Sequence, residues 1–173
     1  MYTRITALRG ARPGGRVLHI GCGGGYLARL LSAAVAPDGQ VTGLDTSAPA
    51  IGYSRKRAAA NCSFVVGVAQ DLPWPDRSFD VVASTLAAHH IPGPARQDAF
   101  GEMYRVLRSG GALLVADFRP SRRRHSLHSR VAASRHGSAV PLEDLAAAAG
   151  FRIEARGDLP LLCYVRAIRP GAS

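Results

Sequence analysis

Three glycines at alternate positions, Gly21, Gly23 and Gly25, follow the apolar run Val17–Ile20 and precede a helical pattern that begins at Tyr26. Such a loop lets a ligand approach bare backbone at a helix N-terminus, where unpaired N–H groups and the helix dipole favour an anion. The spacing sorts the ligands. A P-loop needs Lys and then Ser or Thr after its last glycine, but Tyr26 and Leu27 stand there. A dinucleotide loop wants G-x-G-x-x-G, and its third glycine position falls on Tyr26. An acid, Asp45, ends the second apolar run, 20 residues after Gly25. A carboxylate there can accept from both hydroxyls of a ribose and disfavours a 2′-phosphate. The pattern points to a nucleoside with an amino-acid-like, carboxylate-bearing tail. S-adenosylmethionine has both parts; NAD stays open on spacing alone.

His89 and His90 follow a fourth apolar run, at the end of the strand where substrates sit in sheets of this type. Histidine titrates near neutrality and can take a proton from an oxygen, nitrogen or acidic carbon. His90 is the first candidate base and His89 the second; holding a loop by hydrogen bonds is the alternative role. Cys22 sits near a helix N-terminus, where a thiol pKa can fall, but a small packing residue is the simpler reading. Asp80 reads as structural, Asp76 as a turn residue, and Trp74 as either a flank of the nucleoside pocket or an edge of the core. The three cysteines, Cys22, Cys62 and Cys163, show neither zinc-ligand nor redox spacing. No metal site is expected, and a reducing, cytoplasmic setting is.

These residues need a scaffold, and the chain predicts one. Strands are expected at Arg16–Ile20, Gln40–Asp45, Ser63–Val68, Phe79–Ser84 and Ala112–Phe118, with helices at Tyr26–Ala36, Pro49–Ala60 and Ala95–Arg108. Alternation of this kind implies an α/β fold: a mostly parallel sheet with helices on both faces. Ser47 is placed to cap the second helix. Ser109–Gly111 is placed to end the third, since glycine takes the left-handed C-cap conformation freely. A short helix, "PLEDLAAAAG", and strands at Phe151–Arg156 and Leu161–Ile168 complete the pattern.

The chain of 173 residues suits one domain with a full core. No apolar run reaches the roughly 18 residues of a membrane span, and the first residues lack the apolar core of a secretory signal. The formal net charge is +10, almost all from arginine; Lys56 is the one lysine. Six arginines and no acid lie between Arg119 and His136. This segment can serve an anionic substrate, an RNA backbone or a membrane surface, or be a solvated loop. Nucleic acid is not favoured, because no aromatic residues interleave with the basic ones.

The motifs together resemble class I S-adenosylmethionine-dependent methyltransferases, specifically the small-molecule group that includes ubiquinone and menaquinone biosynthesis enzymes. "HIGCGGG" is similar to D-x-G-C-G-x-G, and "VTGLDTS" to the ribose-binding strand end. "VGVAQDLPWPDRSFDVV" resembles G-D-A-x-x-L-P-F-x-D-x-S-F-D-x-V, and "GEMYRVLRSGG" the stretch ending E-x-x-R-V-L-x-P-G-G. The resemblance implies a Rossmann-like sheet of seven strands in the order 3-2-1-4-5-7-6, with the last strand antiparallel. It implies that Gly21, Cys22, Gly23 and Gly25 line the methionine part of S-adenosylmethionine, Asp45 holds the ribose and Thr46 lies along the adenine. Ala69 and Gln70 would meet the adenine edge, and Ser84 would lie near the amine and sulfonium. The activity implied is methyl transfer to a small, anionic or amphipathic acceptor by in-line displacement. A non-catalytic scaffold and an RNA or protein methyltransferase are the alternatives. Two positions depart from the family: His19 and Val68 stand where acids are usual. The domain is expected over residues 16–173, after a leader (residues 1–15) too short for the usual lid helices. The basic segment, residues 119–138, is expected on the substrate side.

Overall fold

The computed structural model describes residues 11–118, 140–159 and 161–171. Seven strands form one sheet: β1 (Arg16–Ile20), β2 (Gln40–Asp45), β3 (Cys62–Val66), β4 (Phe79–Thr85), β5 (Leu107–Phe118), β6 (Arg152–Asp158) and β7 (Leu162–Ile168). Their order is β3-β2-β1-β4-β5-β7-β6. The first five pair in parallel, and β7 runs antiparallel to both β5 and β6. Among the described residues four helices accompany them: α1 (Tyr26–Val35), α2 (Ala48–Arg55), α3 (Arg96–Val106) and α4 (Leu142–Ala148). This is the α/β fold and strand order expected from the sequence.

Alternate strand residues feed two cores, because neighbouring side chains on a strand point to opposite faces. Leu18, Ile20, Val82, Leu113 and Val115 pack with Phe100 and Met103 of α3 and Leu145 of α4. Val17, Val41 and Val81 pack with Leu27 and Leu31 of α1, Ile51 of α2 and Phe64 of β3. Each fully buried Leu, Met or Phe contributes about 1.5–3 kcal/mol by leaving water. The central strands β1 and β4 are buried almost throughout, whereas only Phe64 of edge strand β3 is.

Several boundaries differ from expectation. β3 ends at Val66, and Val68 instead pairs with Asp71 across a tight turn that carries Ala69 and Gln70. α2 ends at Arg55, five residues early. The run Lys56–Ala60 has helix-forming composition, but turns there bring the chain back to β3, with Cys62 N–H donating to the Ala59 carbonyl. α3 ends at Val106, and Leu107 is already extended. Gly110 does adopt a left-handed backbone, φ +74°, but inside β5 rather than at a helix cap. Arg169 takes over the end of α3: its guanidinium donates to the carbonyls of Tyr104, Arg105 and Leu107. A cation is favoured at a helix C-terminus. Ser47 caps α2 as expected, accepting from Ala50 N–H at 3.3 Å. The first ten residues of the leader and the basic segment lie outside the described residues.

Candidate functional site

The glycine loop leaves β1 and enters α1 through three left-handed backbones: Gly21 (φ +70°), Gly23 (φ +49°) and Gly25 (φ +74°). The three glycines serve different ends. A Cβ on Gly21 would lie 2.1 Å from Cβ of Ala87, in the loop after β4. A Cβ on Gly25 would press on Phe64 and Ser54 at 3.0 Å. At Gly23 a Cβ would meet nothing within 4 Å. Gly21 and Gly25 therefore admit neighbouring protein, and Gly23 alone borders open space. No side chain caps α1 and no acid stands in its first turn, so its positive end meets the loop unneutralised.

Asp45, half-buried at the end of β2, ties this loop to the next. Its Oδ2 accepts Gly23 N–H at 2.8 Å and its Oδ1 accepts Ser47 N–H at 2.9 Å. A carboxylate has about four lone-pair sites, so each oxygen keeps capacity for a further donor such as a sugar hydroxyl. The Asp45 carbonyl also accepts Gly67 N–H, at 3.0 Å, which places the Val68–Asp71 turn beside the same strand end. Within that turn Ala69 is buried and Gln70 half-buried; Thr46 is exposed just beyond Asp45. The structure thus gathers Gly23, Asp45, Ala69 and Gln70 at the carboxyl ends of β1–β3. Cys22 is buried below them, and burial, helped by the Asp45 charge, pushes its thiol up to about 12. It is a packing residue, not a nucleophile.

His19 is buried, with Nε2 3.3 Å from Oγ1 of Thr85 at the end of β4. One residue earlier, the Ser84 hydroxyl is fully buried and finds no hydrogen-bond partner among the described residues. Buried polar atoms are nearly always paired, so each exception calls for a cause.

After β4 the chain turns at Leu86 (φ +56°) and makes a short 3₁₀ turn, Ala88–His90. His90 is exposed and its ring lies against that of His89, centroids 3.9 Å apart. The carboxylate partner belongs to His89. Its Nδ1 is 2.7 Å from Oδ1 of Asp117, at the end of β5. Asp117 is a residue the sequence reading missed; an acid closing a buried apolar strand was the available signal.

A second overlooked pair is Glu102 and Arg105, one helical turn apart on α3. Glu102 accepts Leu72 N–H at 2.8 Å and both Nε and Nη2 of Arg105. Arg105 also donates to the carbonyls of Leu72 and Trp74 and to Asp76. The pair clamps the proline-studded loop that leads to β4. The Arg105 hydrogen bonds hold the Glu102 carboxyl below its usual range. Trp74 packs edge-on against Phe79, 5.5 Å between centroids, at the rim of the core. Asp80 accepts Arg16 N–H at 2.6 Å and pairs with Arg108, as a structural residue does. Among the described residues, no group of three His, Cys, Asp or Glu is placed to hold a metal ion, and no helix is long and apolar enough to cross a membrane.

Residues 17–111 match the family model described as a methyltransferase domain. The chain belongs to the class I S-adenosylmethionine-dependent methyltransferase family. Three curated methyltransferases illustrate the relationship. A fatty-acid O-methyltransferase of Mycolicibacterium smegmatis is 43% identical over 121 residues, covering 66% of this chain and 41% of that protein. A demethylmenaquinone methyltransferase of Symbiobacterium thermophilum is 39% identical over 111 residues, covering 61% and 43%. A ubiquinone/menaquinone biosynthesis C-methyltransferase of Stutzerimonas stutzeri is 39% identical over 124 residues, covering 68% and 48%. The chain spans less than half the length of these relatives. Solved structures share the fold. A putative methyltransferase in complex with the Haloferax volcanii Trm112 activator superposes with a TM-score of 0.80 at 21% identity, over 98% of this chain and 90% of that one. A SAM-dependent methyltransferase from Aquifex aeolicus gives 0.73 at 20%, over 96% and 87%. The [4+2]-cyclase SpnF gives 0.83 at 18%, over 99% and 81%.

Proposed function

We propose that this methyltransferase chain binds S-adenosylmethionine across the carboxyl ends of β1–β4 and passes its methyl group to a small-molecule acceptor. The observation that carries the reading is the pairing of Gly23 with Asp45. One glycine of the loop borders open space, and the carboxylate bonded to its N–H keeps lone pairs for ribose hydroxyls. The uncapped start of α1 suits the carboxylate of the methionine tail. Ala69 and Gln70 flank the adenine, Thr46 lies along it, and Ser84 offers its unpaired hydroxyl near the amine. Gly21, Cys22 and Gly25 line the methionine part with their backbone, while Gly21 and Gly25 also leave room for neighbouring protein. The donor set suits a nucleoside with an amino-acid tail.

When bound, S-adenosylmethionine supplies a methyl group on a sulfonium, an already activated leaving group. The chain then has to position the acceptor in line and keep water out. The 3₁₀ turn carrying His89 and His90 stands on that side, packed against the glycine loop through Ala87. The relatives' names divide the acceptors into a fatty acid and quinone-type rings, and an acceptor that is amphipathic or anionic fits both. The basic segment at residues 119–138 is proposed to meet its anionic part.

Fold alone does not carry the activity, since a [4+2]-cyclase shares it. Calorimetry decides. S-Adenosylhomocysteine is expected to bind and NAD not to; the reverse would make the loop a dinucleotide site, and binding of neither at millimolar concentration would return the chain to a scaffold role.

A further inference from the structure

The strongest unassigned feature is the constellation at the ends of β4 and β5. Asp117 is 4% exposed, yet its carboxylate is held by three donors. His89 N–H donates to Oδ2 and Phe118 N–H to Oδ1, each at 2.7 Å, and the His89 ring meets Oδ1 at 2.7 Å. A carboxylate so engaged is an acceptor, which assigns the proton of the neutral imidazole to Nδ1 and the lone pair to Nε2. The ring cannot easily turn away. His90 lies on it at 3.9 Å, and Phe118 packs edge-on at 5.2 Å. Arg96 fixes the turn beneath by donating to the carbonyls of Ile91 and His89. The side chain of His89 is nonetheless 31% exposed, so a substrate can reach it.

We infer that His89 is the proton acceptor of the reaction, with Asp117 as its positioning residue, and that the methyl acceptor is a hydroxyl, phenol or carbon acid rather than a carboxylate. The inference rests on the methyltransferase reading above and narrows it. The acceptor X–H bond breaks and its proton passes to Nε2 of His89. The freed electron pair forms X–CH₃, while the C–S bond breaks and its pair stays on sulfur, leaving a neutral thioether. Asp117 stabilises the imidazolium until the proton passes to water. A carboxylate acceptor, with an ordinary pKa near 4, is already deprotonated at neutral pH and gives such a base nothing to remove. A phenol or alcohol does.

Two measurements test this. In protein labelled with ¹⁵N-histidine, long-range proton–nitrogen spectra should show His89 as the Nδ1–H tautomer, and Asp117→Asn should abolish or reverse that pattern. An Nε2–H tautomer in the native chain, or an unchanged pattern in the variant, overturns the assignment. The acceptor class is read with methyl-tritiated S-adenosylmethionine and two probes, hydroquinone and decanoate. Hydroquinone should be methylated, and His89→Asn or His89→Gln should slow this by roughly 100-fold or more with S-adenosylhomocysteine affinity unchanged. Transfer to decanoate alone, to neither probe, or undiminished transfer to hydroquinone in both variants overturns it. Failure of the native chain to bind S-adenosylhomocysteine would instead strike the methyltransferase reading. Normal binding with the wrong tautomer strikes only the dyad.

Discussion

Asp45 and Asp117 are both acids at the carboxyl end of a parallel strand, and they are held differently. Among the described residues Asp45 accepts only backbone N–H groups, from Gly23 and from its own following turn, and it stays half-buried. Asp117 is buried and accepts from a neighbouring turn and from a side chain, His89. The first arrangement leaves lone pairs for a ligand. The second spends its acceptor capacity on orienting another protein group. The glycine-loop end of the sheet is thus held through backbone groups alone and the β4–β5 end through a side-chain pair as well, so the two should fail in different ways.

The largest expected effect tests which glycine is structural. Gly21→Ala should destabilise the fold by about 2–5 kcal/mol, from about 1–2 for a left-handed alanine and about 1–3 for the overlap with Ala87. Gly23→Ala, with no overlap, should cost only the former and weaken S-adenosylhomocysteine binding instead. Equal losses in urea unfolding would erase the distinction between the two positions.

Next comes the Glu102–Arg105 clamp on the loop before β4. Arg105→Ala removes charged hydrogen bonds to Glu102 and to two loop carbonyls, a loss of about 2–3 kcal/mol. It also has a pH signature. The Glu102 carboxyl is held low in the folded chain, so its contribution is present above the ordinary value of 4.5 and fades as pH falls through and below it. Unfolding at neutral and at acid pH should show this acid loss in the native chain and a flatter profile in the variant.

On the nucleotide side, Asp45→Ala should weaken S-adenosylhomocysteine by about 1.5–3 kcal/mol, read by calorimetry, with a smaller loss of stability. Unchanged affinity would move the ribose elsewhere. The smallest effect is a gain. Val68 is exposed in its turn rather than buried in β3, so an aspartate there loses little hydration. Val68→Asp should tighten binding by about 1 kcal/mol with the melting temperature nearly unchanged; weaker binding in a folded variant would mean that adenine does not lie there.

The sequence announced what depends on local order. β1, β2 and β4 are apolar runs buried at the sheet centre, and their ends were read to within a residue. The glycine spacing and Asp45 are likewise contiguous signals. What stayed hidden depends on register. Thr85 pairs with Ala116 across β4 and β5, and that alignment brings His89 to Asp117, 28 residues away. No spacing rule within one element encodes it. The early start of β5 was masked because Arg108, Ser109 and Gly110 are exposed and polar. The overrun of α2 came from alanines that favour helix locally but are spent on the return to β3.

The near-contact between Gly21 and Ala87 makes the two positions a single variable. They share room for one methyl group, and the chain has assigned it to residue 87. An alanine at 21 would need a glycine at 87, and even that exchange would keep the left-handed penalty. Exchanging the β1 loop of this chain is therefore safe only when its β4 loop is exchanged with it. Side-chain variety in this loop has room to begin only after Ala87, at the turn that carries the histidines.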